Sequence, residues 1–193
     1  WVMGSKLDKY TDPELFELVQ SKGELANDAF SLLYDRHSPR VFAYCRRFLG
    51  NKEEAQDVLQ EAFIRFYKSA NSEREMTNVP AFILTIARNL CVNLQKKKKP
   101  LVSYEDYMVV RENYNKDEDE LLDLIKMAME LLPDDYKEVF ILREYDGLSY
   151  QEIAEITNTS LTNIKVRIYR AKQKIKEILE PYLVDLNKHS NDG

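Results

Sequence analysis

Residues 147–175 constrain the fold of this chain more than any other stretch, because their pattern predicts two helices joined by a short polar turn. Ser149 and Glu152 have the spacing of a capping box, which marks a helix N-terminus. The short polar side chains at 157–160 then interrupt that helix, since they bond the local backbone and favour turns and N-caps. A second, longer helix is therefore expected to begin near Leu161.

The second helix separates into distinct faces when its residues are placed at about 100° per residue. Its apolar stripe comprises Ile164, Ile168, Ala171, Ile175, Ile178 and Leu179. Basic residues flank both edges of the stripe: Lys165, Lys172 and Lys176 on one, Arg167, Arg170 and Lys174 on the other. The opposite face carries Thr162, Asn163, Val166, Tyr169 and Gln173. This pattern is typical of a helix-turn-helix whose second helix enters a DNA major groove. An ordinary amphipathic helix with a solvated basic face is the alternative.

Composition favours an all-α chain of two small helical domains. The 193 residues include only 5 Gly and 6 Pro, with few alternating runs of β-branched residues. A hydrophobic content of 44% beside 32% charged residues is typical of a soluble protein that folds. No apolar run approaches the roughly 18 residues that span a bilayer, and no export signal is recognisable, so we expect a cytoplasmic protein.

Charge is segregated along the chain although the net charge is −5. Basic residues concentrate at Arg88, at 96–99 and at 165–176, whereas acidic residues concentrate at 53–61 and 105–120. Binding to phosphates requires clustered Lys and Arg. The distribution therefore indicates two kinds of partner and a weak affinity of the isolated chain for DNA.

Helical periodicity and breaker residues predict the domain boundaries. An N-terminal domain at 1–99 is expected to contain helices over 12–21, from 27 or 28 to 49, over 52–70 and over 79–97, with a loop at 71–78. The pattern fails over 100–120, which we interpret as a flexible acidic linker. A C-terminal domain at 121–193 should contain helices over 121–132 and 134–144 before the helix-turn-helix, and a tail that frays after Pro181.

No pattern of side chains indicates catalysis. Cys45 and Cys91 lie far apart in helical patterns, so buried free thiols are expected, with a redox pair or a disulfide as the alternative. His37 and His189 lack the spacing of metal ligands. A nucleophile–base pair and a phosphate-binding Gly-rich loop are also missing from the sequence. We therefore expect no enzymatic activity, no cofactor, no metal site and no small-molecule substrate.

Three blocks of sequence, in order, resemble one family. Residues 57–70, DVLQEAFIRFYKSA, resemble the conserved-region-two helix of bacterial sigma factors. Residues 80–99 resemble the helix that follows the promoter-binding loop in that family, and residues 132–175 resemble region four. The likeness covers roughly 26–99 and 121–183. With no room for further regions, the chain is similar to the extracytoplasmic-function group, the smallest of these proteins.

The resemblance implies that the N-terminal domain docks on core RNA polymerase. In such proteins the polar face of the region-two helix binds the clamp helices of the β′ subunit, and the β flap is a further partner. Asp57, Gln60 and Glu61, with Ile64 beside them, would form that surface here. A solvated acidic face is the alternative. It accounts for the charges but not for an exposed Ile64 among them, although single exposed apolar residues are normal on protein surfaces.

The resemblance also assigns two promoter-binding surfaces. The loop at 71–78 and the helix after it would capture the unpaired −10 element, with Asn89 at the position of the family's pocket asparagine. Phe82 stands where the family often has Trp, and Arg88, Lys96 and Lys97 could hold phosphates. Region four would bind the duplex −35 element through Arg143, Thr162, Asn163, Lys165, Val166, Arg167, Tyr169 and Arg170.

The function that the resemblance implies is that of an alternative sigma factor. Such a protein binds core polymerase, recognises a bipartite promoter, assists its opening and then dissociates. A partner anti-sigma factor, often membrane-bound, usually holds members of this group inactive. Two alternatives remain from the residues themselves: a stand-alone helix-turn-helix regulator that binds its operator as a dimer, and a helical scaffold that sequesters a partner.

Overall fold

The computed structural model describes residues 7–72, 75–98 and 120–189, and every regular element in these ranges is helical. The first four helices are α1 (Asp12–Ser21), α2 (Ala26–Leu49), α3 (Lys52–Ser69) and α4 (Val79–Lys97). Next come α5 (Glu120–Glu130), α6 (Asp134–Phe140), a π-helical turn (Ile141–Tyr145), α7 (Tyr150–Thr157) and α8 (Leu161–His189). The all-α prediction is confirmed. The predicted acidic linker lies outside the described residues except for its last residue, Glu120, which opens α5.

The chain divides into two compact units. Helices α1 to α4 form the first, in which α2 packs against α1, α3 and α4. Helices α5, α6 and α8 frame the second, where both α5 and α6 pack against α8. Two small helical units are therefore present, as the sequence predicts.

Capping hydrogen bonds fix the first residues of α1 and α3 at the predicted positions. The carboxylate of Glu14 accepts hydrogen bonds from the amide and the hydroxyl of Thr11, each at 2.7 Å, which fixes the start of α1. The side chain of Asn51 accepts a bond from the amide of Glu54 at 3.1 Å and caps α3. At the end of α1, Lys22 takes the left-handed conformation, with φ 54°.

Several helix boundaries differ from the prediction. Helix α5 covers Glu120–Glu130 rather than 121–132, and the helix predicted over 134–144 is α6 as far as Phe140 and the π-helical turn after it. Helix α2 begins at Ala26 without a side-chain cap from residue 27 or 28, because the burial of Ala26 and Ala29 fixes its first turn. Helix α8 continues through Pro181 to His189, so the prediction that the tail frays after Pro181 is wrong. A proline inside a helix removes one backbone hydrogen bond and crowds the carbonyl four residues earlier, yet α8 is helical on both sides of Pro181. Pro39 lies inside α2 in the same way.

Aromatic rings fill the core of the first unit. The sequence predicts an apolar stripe on α3 and its C-cap, and all of its residues are buried: Ala55, Val58, Leu59, Ala62, Phe63, Phe66 and Ala70. Phe66 has its ring 5.4 Å from that of Phe16 and 6.3 Å from that of Phe82. Offset and edge-on rings at these distances stabilise a core beyond the area that they bury. The rings of Phe16 on α1 and Phe82 on α4 thus fix both helices on α3.

An aliphatic stripe fills the core of the second unit. Five of the six residues of the predicted stripe of α8 are buried, namely Ile164, Ile168, Ala171, Ile175 and Leu179, whereas Ile178 is half-buried. Ile141 and Leu142 of the π-helical turn are buried as well. Cys45 and Cys91, in the first unit, are buried and form no disulfide, which confirms the prediction of buried thiols.

Candidate polymerase- and DNA-binding surfaces

The outward face of α3 combines acidic and apolar side chains. Asp57 and Gln60 are exposed, and Ile64 keeps 48% of its surface open to solvent. Glu61 is bonded to Arg65 on the same helix, with 2.6 Å between Oε1 and Nε. Since the opposite stripe of α3 is buried, these positions are held outward by the core. The face can therefore offer both carboxylates and an apolar contact to a partner.

Helix α4 presents the residues predicted to meet the −10 element. The side chain of Asn78 accepts a bond from the amide of Ala81 at 3.1 Å, which fixes the start of the helix. Phe82 is half-buried, and its ring lies 6.3 Å from that of Phe66, so the ring is held in place on one side. Asn89 is exposed, and its Oδ1 accepts a bond from Arg88 at 3.1 Å, which orients the amide. Lys96 and Lys97 are exposed at the end of α4.

A groove lies between α1 and the segment that leads into α4, a feature that the sequence did not reveal. Its volume is about 770 Å³. The side-chain Nε2 of Gln20 on α1 donates a hydrogen bond to the backbone carbonyl of Ser72 at 2.9 Å, which joins this loop to the helix. Other lining side chains are Pro13, Glu17, Lys22, Asn71, Met76 and Thr77. Gln20 and Ser72 are 52 residues apart, and no local pattern links them.

The helix-turn-helix begins and turns as predicted. The amide of Ser149 donates to Glu152 Oε2 at 2.8 Å, and the amide of Glu152 donates to Ser149 Oγ at 3.2 Å, which completes the capping box. In the turn, Asn158 adopts a left-handed conformation with φ 50°. The hydroxyl of Ser160 then accepts a bond from the amide of Asn163 at 3.3 Å and caps α8.

Arg143 supports the entry to this motif from within the π-helical turn. Its Nη1 donates to the carbonyl of Leu148 at 2.8 Å, and its guanidinium lies over the ring of Tyr150, 4.9 Å from the centroid. Gly147 between them has φ 68°, a conformation that favours glycine. Two observed contacts of Arg143 are thus internal to the motif. Its predicted contact with DNA stays a prediction.

The outer face of α8 carries exposed side chains of mixed chemistry. Tyr169 is 65% exposed and Val166 is 41% exposed. Thr162, Asn163, Lys165 and Arg170 are exposed beside them, and Arg167 is half-buried. Apolar, amide and basic groups on one helical face are what major-groove binding uses for methyl groups, base edges and phosphates.

The described residues hold no group of three or more His, Cys, Asp or Glu side chains placed to bind a metal ion. In the same part of the chain, none of the helices combines the length and the apolar character needed to cross a bilayer.

Comparison with known proteins identifies both units. Residues 33–100 match the family Sigma-70 region 2, and residues 122–175 match Sigma-70, region 4. The ECF RNA polymerase sigma factor SigW of Bacillus subtilis (strain 168) is 31% identical over 169 residues, covering 79% of this chain and 89% of the relative. The chain belongs to the extracytoplasmic-function (ECF) family of RNA polymerase sigma factors. The ECF RNA polymerase sigma-E factor of Escherichia coli (strain K12) is 30% identical over 191 residues, covering 91% of this chain and 98% of that one.

Solved structures share the fold of this ECF sigma factor. CnrH, in complex with the cytosolic domain of CnrY, matches with a TM-score of 0.68 and 20% identity, over 88% of this chain and 97% of that one. The sigma factor RpoE from Bartonella quintana, in complex with the anti-sigma factor NepR, matches with a TM-score of 0.62 and 21% identity, over 78% and 96%. The sigma-factor interpretation is confirmed over that of a stand-alone helix-turn-helix regulator.

Proposed function

We propose that this ECF sigma factor binds core RNA polymerase through the outward face of α3 and directs it to promoters through α4 and α8. The observation that supports this best is Ile64. It is held outward by a fully buried stripe and stands among Asp57, Gln60 and Glu61, inside the region that matches Sigma-70 region 2. Apolar side chains framed by charged ones are typical of protein interfaces. The β′ clamp helices would cover this face.

The −10 element would be opened and held on the first unit. Asn89, oriented by Arg88, would supply donor and acceptor groups to an extruded base. Phe82 would stack an unpaired base on its ring, because that ring is only half-buried and its contact with Phe66 already holds it in place. Lys96 and Lys97 would hold the phosphates of the separated strand.

The −35 element would be bound by the second unit. Thr162, Asn163, Val166 and Tyr169 would contact base edges in the major groove, and Lys165, Arg167 and Arg170 would contact phosphates. Arg143 would stabilise the entry to the helix-turn-helix through its bond to the Leu148 carbonyl, in addition to its proposed contact with DNA. The β flap of polymerase would hold this unit at the correct spacing from the first.

The protein would act in the cytoplasm, where polymerase and promoter DNA meet, and it would work by binding rather than by chemistry. An anti-sigma factor is a further proposed partner, because both structural relatives named above were solved in complexes, one of them with a named anti-sigma factor. Such a partner, free or membrane-bound, would cover the α3 face or α8.

Charge reversal on α3 tests the docking surface. Asp57→Arg should abolish binding to core polymerase, and Gln60→Ala should weaken it, because both side chains lie opposite the buried stripe. Glu24→Arg, an equal change of charge in the exposed turn between α1 and α2, is the matched control. Binding is measured by competition for fluorescently labelled core polymerase, with thermal unfolding as the check on folding. Normal binding by Asp57→Arg would show that another surface docks.

A further inference from the structure

Acidic side chains hold both edges of the recognition helix α8. On one edge, the Nε atom of Arg167 lies 3.6 Å from Oδ2 of Asp135, in the first turn of α6. On the other edge, the Nζ atom of Lys172 lies 2.8 Å from Oε1 of Glu144, in the π-helical turn. The segment formed by α6 and this turn therefore crosses the apolar stripe of α8 and meets a basic residue on each side of it.

A third contact joins the same elements. Nη1 of Arg170 donates to the hydroxyl of Tyr136 at 3.4 Å. Three of the six basic residues that flank the stripe thus have a partner on α6 or on the π-helical turn. Within the described part of the chain, no such contact is made by the other three, Lys165, Lys174 and Lys176. Half of the flanking basic residues are already engaged inside the protein before DNA arrives.

These pairs are exposed enough for DNA to displace them. The side chains of Asp135 and Lys172 are 47% and 52% exposed, and their partners are also partly open to solvent. Exposed ion pairs contribute about 0.2–1 kcal/mol each. The closely spaced phosphates of duplex DNA also attract Lys and Arg side chains, and therefore compete with the carboxylates for them. After displacement, each carboxylate stays near the phosphates and repels them. The two acids therefore oppose phosphate binding whatever the base sequence is.

We propose that Asp135 and Glu144 are specificity-determining residues, which restrain sequence-independent binding of α8 to the DNA backbone. Base contacts by the outer face of α8, including Val166 and Tyr169, then carry a larger share of the discrimination between sites. This inference rests on the proposed binding of the −35 element by α8. Restrained backbone binding would keep α8, despite its six flanking basic residues, from binding DNA tightly without polymerase.

A purely structural role for the same pairs predicts the opposite result. If they served to hold α8 in the orientation that DNA binding needs, their removal would loosen the helix and weaken DNA binding. The sign of the change in affinity therefore separates the two roles.

The test compares the full-length double variant Asp135→Asn, Glu144→Gln with the wild-type protein. Fluorescence anisotropy measures binding to a labelled mixed-sequence DNA duplex over a series of salt concentrations. The double variant should bind about 2- to 25-fold more tightly at low salt, as expected from releasing two exposed pairs. Its log–log salt slope should steepen by up to about 1 for each released cation. Asp134→Asn is the matched control, because it removes one charge from the same turn of α6 and has no contact with α8 among the described residues.

Three results would overturn the proposal. They are an unchanged or weaker affinity of a folded double variant, an equal gain in the Asp134→Asn control, and an unchanged salt slope. If thermal unfolding shows that the double variant is destabilised, the single substitutions repeat the test, each with one exposed pair removed. Promoter-directed initiation with core polymerase is measured separately with the wild-type protein. Its failure would contradict the proposed function, whereas the anisotropy result concerns only the role of the two acids.

Discussion

Replacing Ile64 by Ala should weaken binding to core polymerase about fivefold without unfolding the protein. The side chain is 48% exposed in the free protein, so roughly half of its surface is left for a partner to bury. Complete burial of an isoleucine stabilises by about 1.5–3 kcal/mol, and half of that is about 1 kcal/mol. A difference of about 1 kcal/mol corresponds to roughly a fivefold change in Kd.

Leu25 provides a matched control for this substitution. It is 46% exposed, carries an aliphatic side chain of the same size and precedes α2 rather than lying on α3. Leu25→Ala should therefore cost the folded chain as little as Ile64→Ala does, yet leave polymerase binding unchanged. If both variants weaken binding equally, the effect is not specific to α3.

The assay is equilibrium competition between each variant and labelled wild-type protein for core polymerase. Urea unfolding of each variant shows how much of any loss comes from instability. Wild-type affinity in a folded Ile64→Ala variant would refute the reasoning, because the exposed apolar area on α3 would then stay in water after docking.

Three further predictions concern other parts of the chain. Arg143→Met should lower the free energy of unfolding of the second unit by about 2 kcal/mol, because the charged hydrogen bond to Leu148 is lost; urea unfolding checks this. The amide and the hydroxyl of Thr11 donate hydrogen bonds to the Glu14 carboxylate and lower the pKa of Glu14. The charged carboxylate therefore stabilises the fold above the usual pKa range of glutamate, and this stabilisation is lost as pH falls through the lowered pKa. Glu14→Gln should therefore remove part of the acid dependence of the melting temperature. Asn89→Ala should slow promoter opening roughly tenfold, as measured by permanganate footprinting, and leave core binding intact.

The helices with a strong apolar stripe could be predicted well from the sequence. The predicted and observed bounds of α4 agree, and all seven positions of the predicted stripe of α3 and its C-cap are buried. A stripe of this kind is repeated over many residues, so single exceptions do not obscure it. Helix ends depend on single residues and are weaker signals. Lys22, a residue other than glycine, has the left-handed conformation that ends α1, and α8 continues through Pro181, so neither end follows from a local residue preference.

The same distinction applies to the candidate surfaces. The capping box of Ser149 and Glu152 could be predicted because both partners lie within one turn of helix. The internal bonds of Arg143 could not, because they depend on the π-helical turn, for which the sequence has no known signature. The contact of Gln20 with Ser72 joins distant parts of the chain and required the fold itself. Contacts within one regular helical turn can be predicted from spacing, whereas contacts that depend on an irregular turn or on the whole fold cannot.

Run-off transcription from a genomic DNA library, with core polymerase in the presence and absence of this protein, tests the central claim most directly. If the protein directs core polymerase to promoters, we expect new, discrete start sites that appear only with the protein and that share two upstream elements at constant spacing. We also expect that Asp57→Arg removes these starts while Glu24→Arg keeps them. The absence of new start sites with folded protein and active core polymerase would contradict the account.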